Sequence, residues 1–222
     1  MKNKHRNILA EFIGSCFLVM IIVGSGLMAE QLTEDVAVRL IANTIATGAG
    51  LFVLITVFAD ISGAHFNPFV SLAMYYTGKL KGKSLPYYIL AQIFGCLLGV
   101  GLANFFFEHE IYELSQKSRD GIYIFVSEIV ATLGLLIIIF GTMKNGKITV
   151  AASVGLYITA GYWFTSSTSF ANPAVAIART FTDSFTGINY LNTPYYILAE
   201  LLGMIIAIFL VKRLFLEKNW KI

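Results

Sequence analysis

The chain has 222 residues, of which 57% are hydrophobic and only 13% charged, with a formal net charge of +3. That charged fraction is roughly half of what a soluble domain carries, too little polar surface to cover a globule in water, so lipid must be most of its solvent. The basic residues are not gathered into one patch, which excludes a nucleic-acid-binding surface.

Apolar stretches follow one another along the chain, separated by short polar breaks. The first, 8–28, sits behind Lys2, Lys4 and Arg6 in the manner of a secretory signal. Its 21 residues span about 31 Å as a helix, which matches a bilayer core, so it is read as a retained membrane span. Further spans are expected at 36–59, 86–107, 122–140, 148–164 and 195–211. In lipid every backbone polar group needs an internal partner, so each should be a helix. Two other apolar segments, 63–77 and 170–184, are too short to cross and are expected to be re-entrant half-helices. Cys16 and Cys96 both fall within apolar runs and have no histidine beside them, so neither a disulfide, a metal site nor a nucleophile is assigned. No cofactor is called for.

Loop charge sets the topology. Lys2, Lys4, Arg6, Lys79, Lys81, Lys83, Lys144, Lys147, Lys212, Arg213, Lys218 and Lys221 fall on one side of a six-span chain, against Arg39, Lys117, Arg119 and Arg179 on the other. The positive-inside rule places the first side, with both termini, in the cytoplasm. Glu108, Glu110 and Glu113 then form a solvated loop face outside.

The sequence also repeats itself. PYYILA occupies 86–91 and again 194–199; Asn67-Pro68 returns as Asn172-Pro173; Glu11 in AEFIGS is matched by Glu128 in SEIVAT. One domain, 1–222, thus holds two copies at about 1–110 and 118–222. Each copy has three spans, an odd number, so the second must be inverted, with the functional site where the copies meet near the midplane.

Asparagine is a strong helix N-cap and proline suits the first helical position. Asn67 and Asn172 should therefore each cap a half-helix, and inversion brings the two caps together at the bilayer centre. Their amides can donate to a passing oxygen, while the paired positive helix ends oppose cations.

Here the chain resembles the aquaporin and glycerol-facilitator family. ISGAHFNP at 61–68 is similar to the family's first signature loop and SFANPA at 169–174 to its second. The resemblance covers both half-helices and all six spans. It implies an all-α, aquaporin-like right-handed bundle of six transmembrane helices plus two re-entrant half-helices, assembled as a homotetramer in the cell's inner (plasma) membrane and surrounded by lipid. It implies passive conduction of water and small neutral solutes, through Asn67, Pro68, Phe69, Asn172, Pro173 and Ala174 at the midpore. It also implies that Glu11 and Glu128 anchor the re-entrant loops by accepting hydrogen bonds, and that His65 lines the cytoplasmic mouth. Glu200 is left without a role, because Gln92 stands at its repeat-equivalent place.

Departures from the family pattern bear on selectivity. The arginine that usually follows the second Asn-Pro-Ala is replaced by Val175. By spacing from the two asparagines, the other filter positions fall at Thr47, Ala160 and Ser169, all small or uncharged. Arg179 lies one turn beyond Val175 and is not taken as the filter cation. The expected filter is wide enough for glycerol-like polyols, and WFTSSTSFANPA at 163–174 resembles a bacterial branch associated with arsenic handling. Phe69 replaces the small residue usual after Asn67-Pro68, and its ring either packs between the repeats or narrows the midpore. An intramembrane enzyme is the runner-up, but no histidine lies within a full span; a non-conducting structural protein or an ion channel follows behind.

Overall fold

The computed structural model describes residues 2–215, and the side chains from residue 4 onward. Lys218 and Lys221, and the side chain of Lys2, used above in the charge count, lie outside the described residues. The helices are α1 (Lys2–Leu32), α2 (Val36–Phe58), α3 (Pro68–Tyr76), α4 (Leu85–Phe106), α5 (Ile122–Thr142), α6 (Lys147–Phe164), α7 (Pro173–Arg179) and α8 (Thr193–Leu214). They form an all-α bundle of six membrane-crossing helices and two half-helices, α3 and α7. Five of the six are long and apolar enough to cross a membrane by length and composition alone. The sixth, α6, has 18 residues and so a rise of about 27 Å, but Lys147 and its glycines, threonines and tyrosines dilute its apolar character.

Helix ends follow local chemistry more than hydropathy. Expected as 8–28, α1 runs on through Glu30 and Gln31 to Leu32, since a helix does not stop where the hydrocarbon does. The turn at residues 33–35 ends it, and the Asp35 carboxylate then caps α2 by accepting the Ala37 and Val38 N–H groups at 2.8 and 3.2 Å. The second half-helix is shorter than expected: α7 covers only Pro173–Arg179, not 170–184. Beyond it, hydroxyl groups at Thr182, Ser184 and Thr186 bond one another, an arrangement that holds irregular backbone in place of a helix.

The two copies pack alike. α1 lies along α4 and against α2, as α5 lies along α8 and against α6; α4 touches α7 as α3 touches α8. The long interfaces depend on a repeated glycine. A Cβ on Gly95 would sit 2.3 Å from the Phe12 carbonyl oxygen, and one on Gly203 would sit 2.5 Å from that of Ile129. Small residues at such points let helix backbones touch where lipid offers no hydrophobic drive. Outward-facing side chains such as Phe17, Phe94, Leu156 and Phe209 are exposed and apolar, as a lipid-facing surface requires.

Candidate functional site

The half-helices begin as their sequences dictate. Asn67 and Asn172 are both extended, with φ of −153° and −158°, and each is followed by proline at the first helical position. The Asn67 Oδ1 accepts the N–H groups of Phe69 and Val70 at 2.9 and 3.3 Å; Asn172 Oδ1 accepts those of Ala174 and Val175 at 3.1 and 3.4 Å. The amide nitrogens reach across to the opposite copy. Asn67 Nδ2 donates to the Ala171 carbonyl at 2.6 Å, and Asn172 Nδ2 donates to the Phe66 carbonyl at 2.8 Å. Each nitrogen carries two hydrogens, so one N–H per asparagine is left for the cavity that both residues line.

The loops leading into the caps have left-handed backbone at repeat-related non-glycine positions. Ala64 and Phe66 have φ of 51° and 48°, and Ser169 and Ala171 have φ of 52° and 48°. Such conformations cost energy and persist only when the surroundings impose them. Buried carboxylates do so here. Glu11 accepts from Ser62 Oγ at 2.5 Å, from the His65 and Phe66 N–H groups at 3.0 and 2.7 Å, and from Gln92 Nε2 at 2.8 Å. Glu128 accepts the Phe170 and Ala171 N–H groups, both at 2.9 Å. Glu200, unassigned from sequence, accepts the Asn172 N–H through Oε1 at 2.9 Å. Its Oε2 has no hydrogen-bond partner among the described residues, and the side chain lies beside that of Glu128. Gln92 and Glu200 are thus counterparts, one on each side of the centre, with an amide beside Glu11 in the first copy and a carboxyl beside Glu128 in the second.

A cavity of about 410 Å³ runs through this centre. One mouth is bordered by Ala59, Met143 and Lys147, where Lys147 pairs with Asp60. His65 lines the same half, its Nδ1 3.0 Å from Ser71 Oγ. The walls are mainly aliphatic, including Leu51, Val70, Leu135 and Val154. Of the expected filter positions, Thr47, Ser169 and Val175 line this cavity, each 3% exposed or less.

Ala160 is the exception. The structure does not bring it to the cavity: Ile158 and Tyr162 are the lining residues of α6, and Ala160, two residues from each, is turned about 200° away and lies exposed. Tyr162, missed from sequence, places its hydroxyl 3.2 Å from Thr47 Oγ1. Arg179 also lines the cavity, one turn beyond Val175. Phe69 does not; its ring is packed against the apolar core, so it leaves the midpore width alone.

The chain is 47% identical over 207 residues to the aquaglyceroporin AqpS of Rhizobium meliloti (strain 1021), covering 93% of this chain and 89% of that protein. The family model described as "Major intrinsic protein" matches residues 1–165. The chain belongs to that family. As a major intrinsic protein it is a passive membrane channel for water and small solutes and not an enzyme. It is also 33% identical over 182 residues to the aquaporin TIP1-1 of Arabidopsis thaliana, across 76% of this chain and 72% of that one. The X-ray structure of the aquaglyceroporin from Plasmodium falciparum matches with a TM-score of 0.74 over 95% of this chain and 96% of that chain; at 22% identity it speaks for the fold alone. The match to the major intrinsic protein model includes Asn67-Pro68 and ends before Asn172.

The family's channel centre is served here by a loop, 180–192, that also gathers cations. Arg119 Nε donates to the Gly187 carbonyl at 2.8 Å and its Nη2 to the Phe185 carbonyl at 3.0 Å. Lys117 Nζ donates to the same Phe185 carbonyl at 2.6 Å. Burial, and next the neighbouring Arg119 and Arg179 charges, push the Lys117 ammonium down to about 8 from the usual 10.5.

Proposed function

We propose that this channel carries glycerol-like polyols, and other uncharged solutes bearing several hydroxyls, as well as water. The observation that carries the reading is the composition of the passage beyond the asparagine pair. Thr47, Ser169 and Val175 are small, and the Thr47 and Tyr162 hydroxyls, from two residues that line the same cavity, meet at 3.2 Å. A passage of this kind offers aliphatic wall to a carbon chain and scattered donors to its hydroxyls, the division of labour expected of a small-molecule site. The similarity to a protein called an aquaglyceroporin supports it. Undissociated arsenous acid, with three hydroxyls on one centre and no charge, presents the same hydrogen-bonding chemistry and belongs in the same class.

In this reading Asn67 and Asn172 are the midpore donors, Glu11 and Glu128 the loop anchors, and His65 a mouth residue. The protein is a plasma-membrane channel with both termini in the cytoplasm, because Lys79, Lys81, Lys83, Lys144 and Lys147 crowd the side on which Lys147 borders a mouth. Arg179 then faces outward. The chain is one domain of two repeats, about 1–110 and 118–222, and assembles as a homotetramer with a pore in each subunit; its many exposed apolar side chains supply surface for both neighbours and lipid. Liposome swelling tests the solute. Vesicles holding the protein should admit water, glycerol and arsenous acid faster than empty vesicles, and a protein that admits water while excluding both larger solutes would overturn the proposal.

A further inference from the structure

Val175 leaves a gap in the electrostatics of the passage, since it stands where the resemblance calls for a filter arginine. Four residues on, α7 ends in Arg179. Four residues advance a helix by about 6 Å and return to nearly the same face, so the two side chains point the same way. Both line the cavity.

Arg179 is charged and yet only 2% exposed. Its Nε donates to the Thr186 carbonyl at 2.5 Å, and its guanidinium carbon lies 3.5 Å from the centre of the Phe170 ring. Neither contact neutralises it. The ion pairs among the described residues do not include it, and its two terminal nitrogens take no protein acceptor there. A buried guanidinium without acceptors at its end would be a costly defect inside a sealed core. At the wall of a water-filled passage the same nitrogens are donors waiting for a solute. Behind it, Lys117 and Arg119 converge on the carbonyls of Phe185 and Gly187, again on neutral acceptors, so their charges add to its field.

We propose that Arg179 is the selectivity cation of this pore. Its free N–H groups bind solute hydroxyl oxygens, and its charge excludes cations one helical turn outside Val175. The inference rests on the polyol-channel reading and sharpens its filter: the passage is not without an arginine, but has one displaced along α7, with the Tyr162 hydroxyl group of α6 lining the same cavity. The competing account makes Arg179 a scaffold only, ending α7 and tethering the 180–192 loop through Thr186. A scaffold arginine has no reason to be replaceable by one at Val175.

The experiment compares native protein, Arg179→Gln and the double variant Val175→Arg with Arg179→Gln in proteoliposomes. Glycerol and water swelling are read alongside potassium permeability from vesicle potentials, at equal amounts of folded protein. Native vesicles are read first: if they do not pass glycerol, the polyol reading fails, whereas the potassium result still decides the role of Arg179. Removing a unit charge from the wall of the passage is expected to raise potassium permeability on the order of a hundredfold in Arg179→Gln. Restoring an arginine at Val175 should bring it back towards the native level and lower the glycerol-to-water ratio. Potassium permeability unchanged in folded Arg179→Gln, or raised and not rescued in the double variant, overturns the proposal. If Arg179→Gln does not assemble, Arg179→Lys decides. It should still exclude potassium while changing the glycerol-to-water ratio, because an ammonium replaces the planar fork. An Arg179→Lys channel that leaks potassium, or keeps the native ratio, refutes the assignment.

Discussion

Replacing Glu200 with glutamine should leave the channel at least as stable as the native protein, although Glu200 is fully buried and bonds the central loop. In the first copy Gln92 Nε2 donates to Glu11 Oε2 at 2.8 Å. In the second, Glu200 Oε1 accepts the Asn172 N–H at 2.9 Å, while Oε2 has no hydrogen-bond partner among the described residues and the side chain lies beside that of Glu128. Glutamine at 200 keeps the first bond through its carbonyl oxygen and turns the second contact into an amide donating to a carboxylate. A hydrogen bond to a charged group contributes about 1.5–3 kcal/mol. Against this stands the carboxyl contact it replaces, so the net change for Glu200→Gln is expected between zero and about 2 kcal/mol of stabilisation. Glu128→Gln is the contrast. Glu128 accepts the N–H groups of Phe170 and Ala171 with its two oxygens, at 2.9 Å each. Glutamine would turn one of those oxygens into an NH2 pointing at an N–H, leaving at least one buried donor unpaired at about 1–3 kcal/mol. Thermal unfolding of the two variants in detergent, followed by glycerol swelling, measures both. Destabilisation of Glu200→Gln by more than about 1 kcal/mol, or an unaffected Glu128→Gln, would refute this division of roles between the two glutamates.

Asn172→Asp places a carboxylate where two helix N-termini meet; neutral-solute flux should fall and cation leakage appear, and folded vesicles with native fluxes would contradict a midpore role. Val175→Arg adds bulk to a position that is 2% exposed and lines the cavity, so glycerol permeability should fall severalfold more than water permeability on the same vesicles; equal proportional losses would remove Val175 from the constriction. Gly203→Ala drives a Cβ to 2.5 Å from the Ile129 carbonyl and should destabilise by about 1–3 kcal/mol, seen as a lower unfolding temperature in detergent. Lys117 is held at about 8 in the folded protein against 10.5 as its ordinary value. Between those values the unfolded chain binds the extra proton, so stability rises with pH through that window and is lower below it. The unfolding temperature of the native protein minus that of Lys117→Gln should therefore increase from pH 7.5 to 10, and a flat difference would show that the ammonium titrates as usual.

Much of the architecture was legible because its signals are local or periodic. Asn67 and Asn172 announce their half-helices through capping chemistry that needs no distant partner, and the apolar runs give the spans to within a few residues. The repeat foretold that the two caps would meet. Ala160 shows where such reasoning stops. Counting back from Asn172 assumes a fixed path from helix to cap, but the backbone between α6 and Asn172 turns through left-handed residues at Thr168, Ser169 and Ala171. Helix phase, not residue count, decides what faces the cavity, and it selects Ile158 and Tyr162. Arg179 was within reach of the sequence: its i+4 relation to Val175 already put both on one face of a helix. Glu200 was not, because its relation to Glu128 joins two distant helices, and a repeat alignment shows only that glutamate stands where the first copy has glutamine.

The crossed amide bonds at the centre also constrain how the chain is made. Asn67 donates to a carbonyl of Ala171, 104 residues later, and the Phe66 carbonyl waits for the amide of Asn172, 106 residues later. When the first three spans have left the ribosome, the re-entrant segment they carry therefore has one donor and one acceptor with no mate, in a setting where such groups are costly. α3 cannot reach its final depth dry at that stage. It must either hold water or stay shallow until α7 arrives from the other side, which makes closure of the midpore one of the last events of synthesis and couples it to insertion of the second copy.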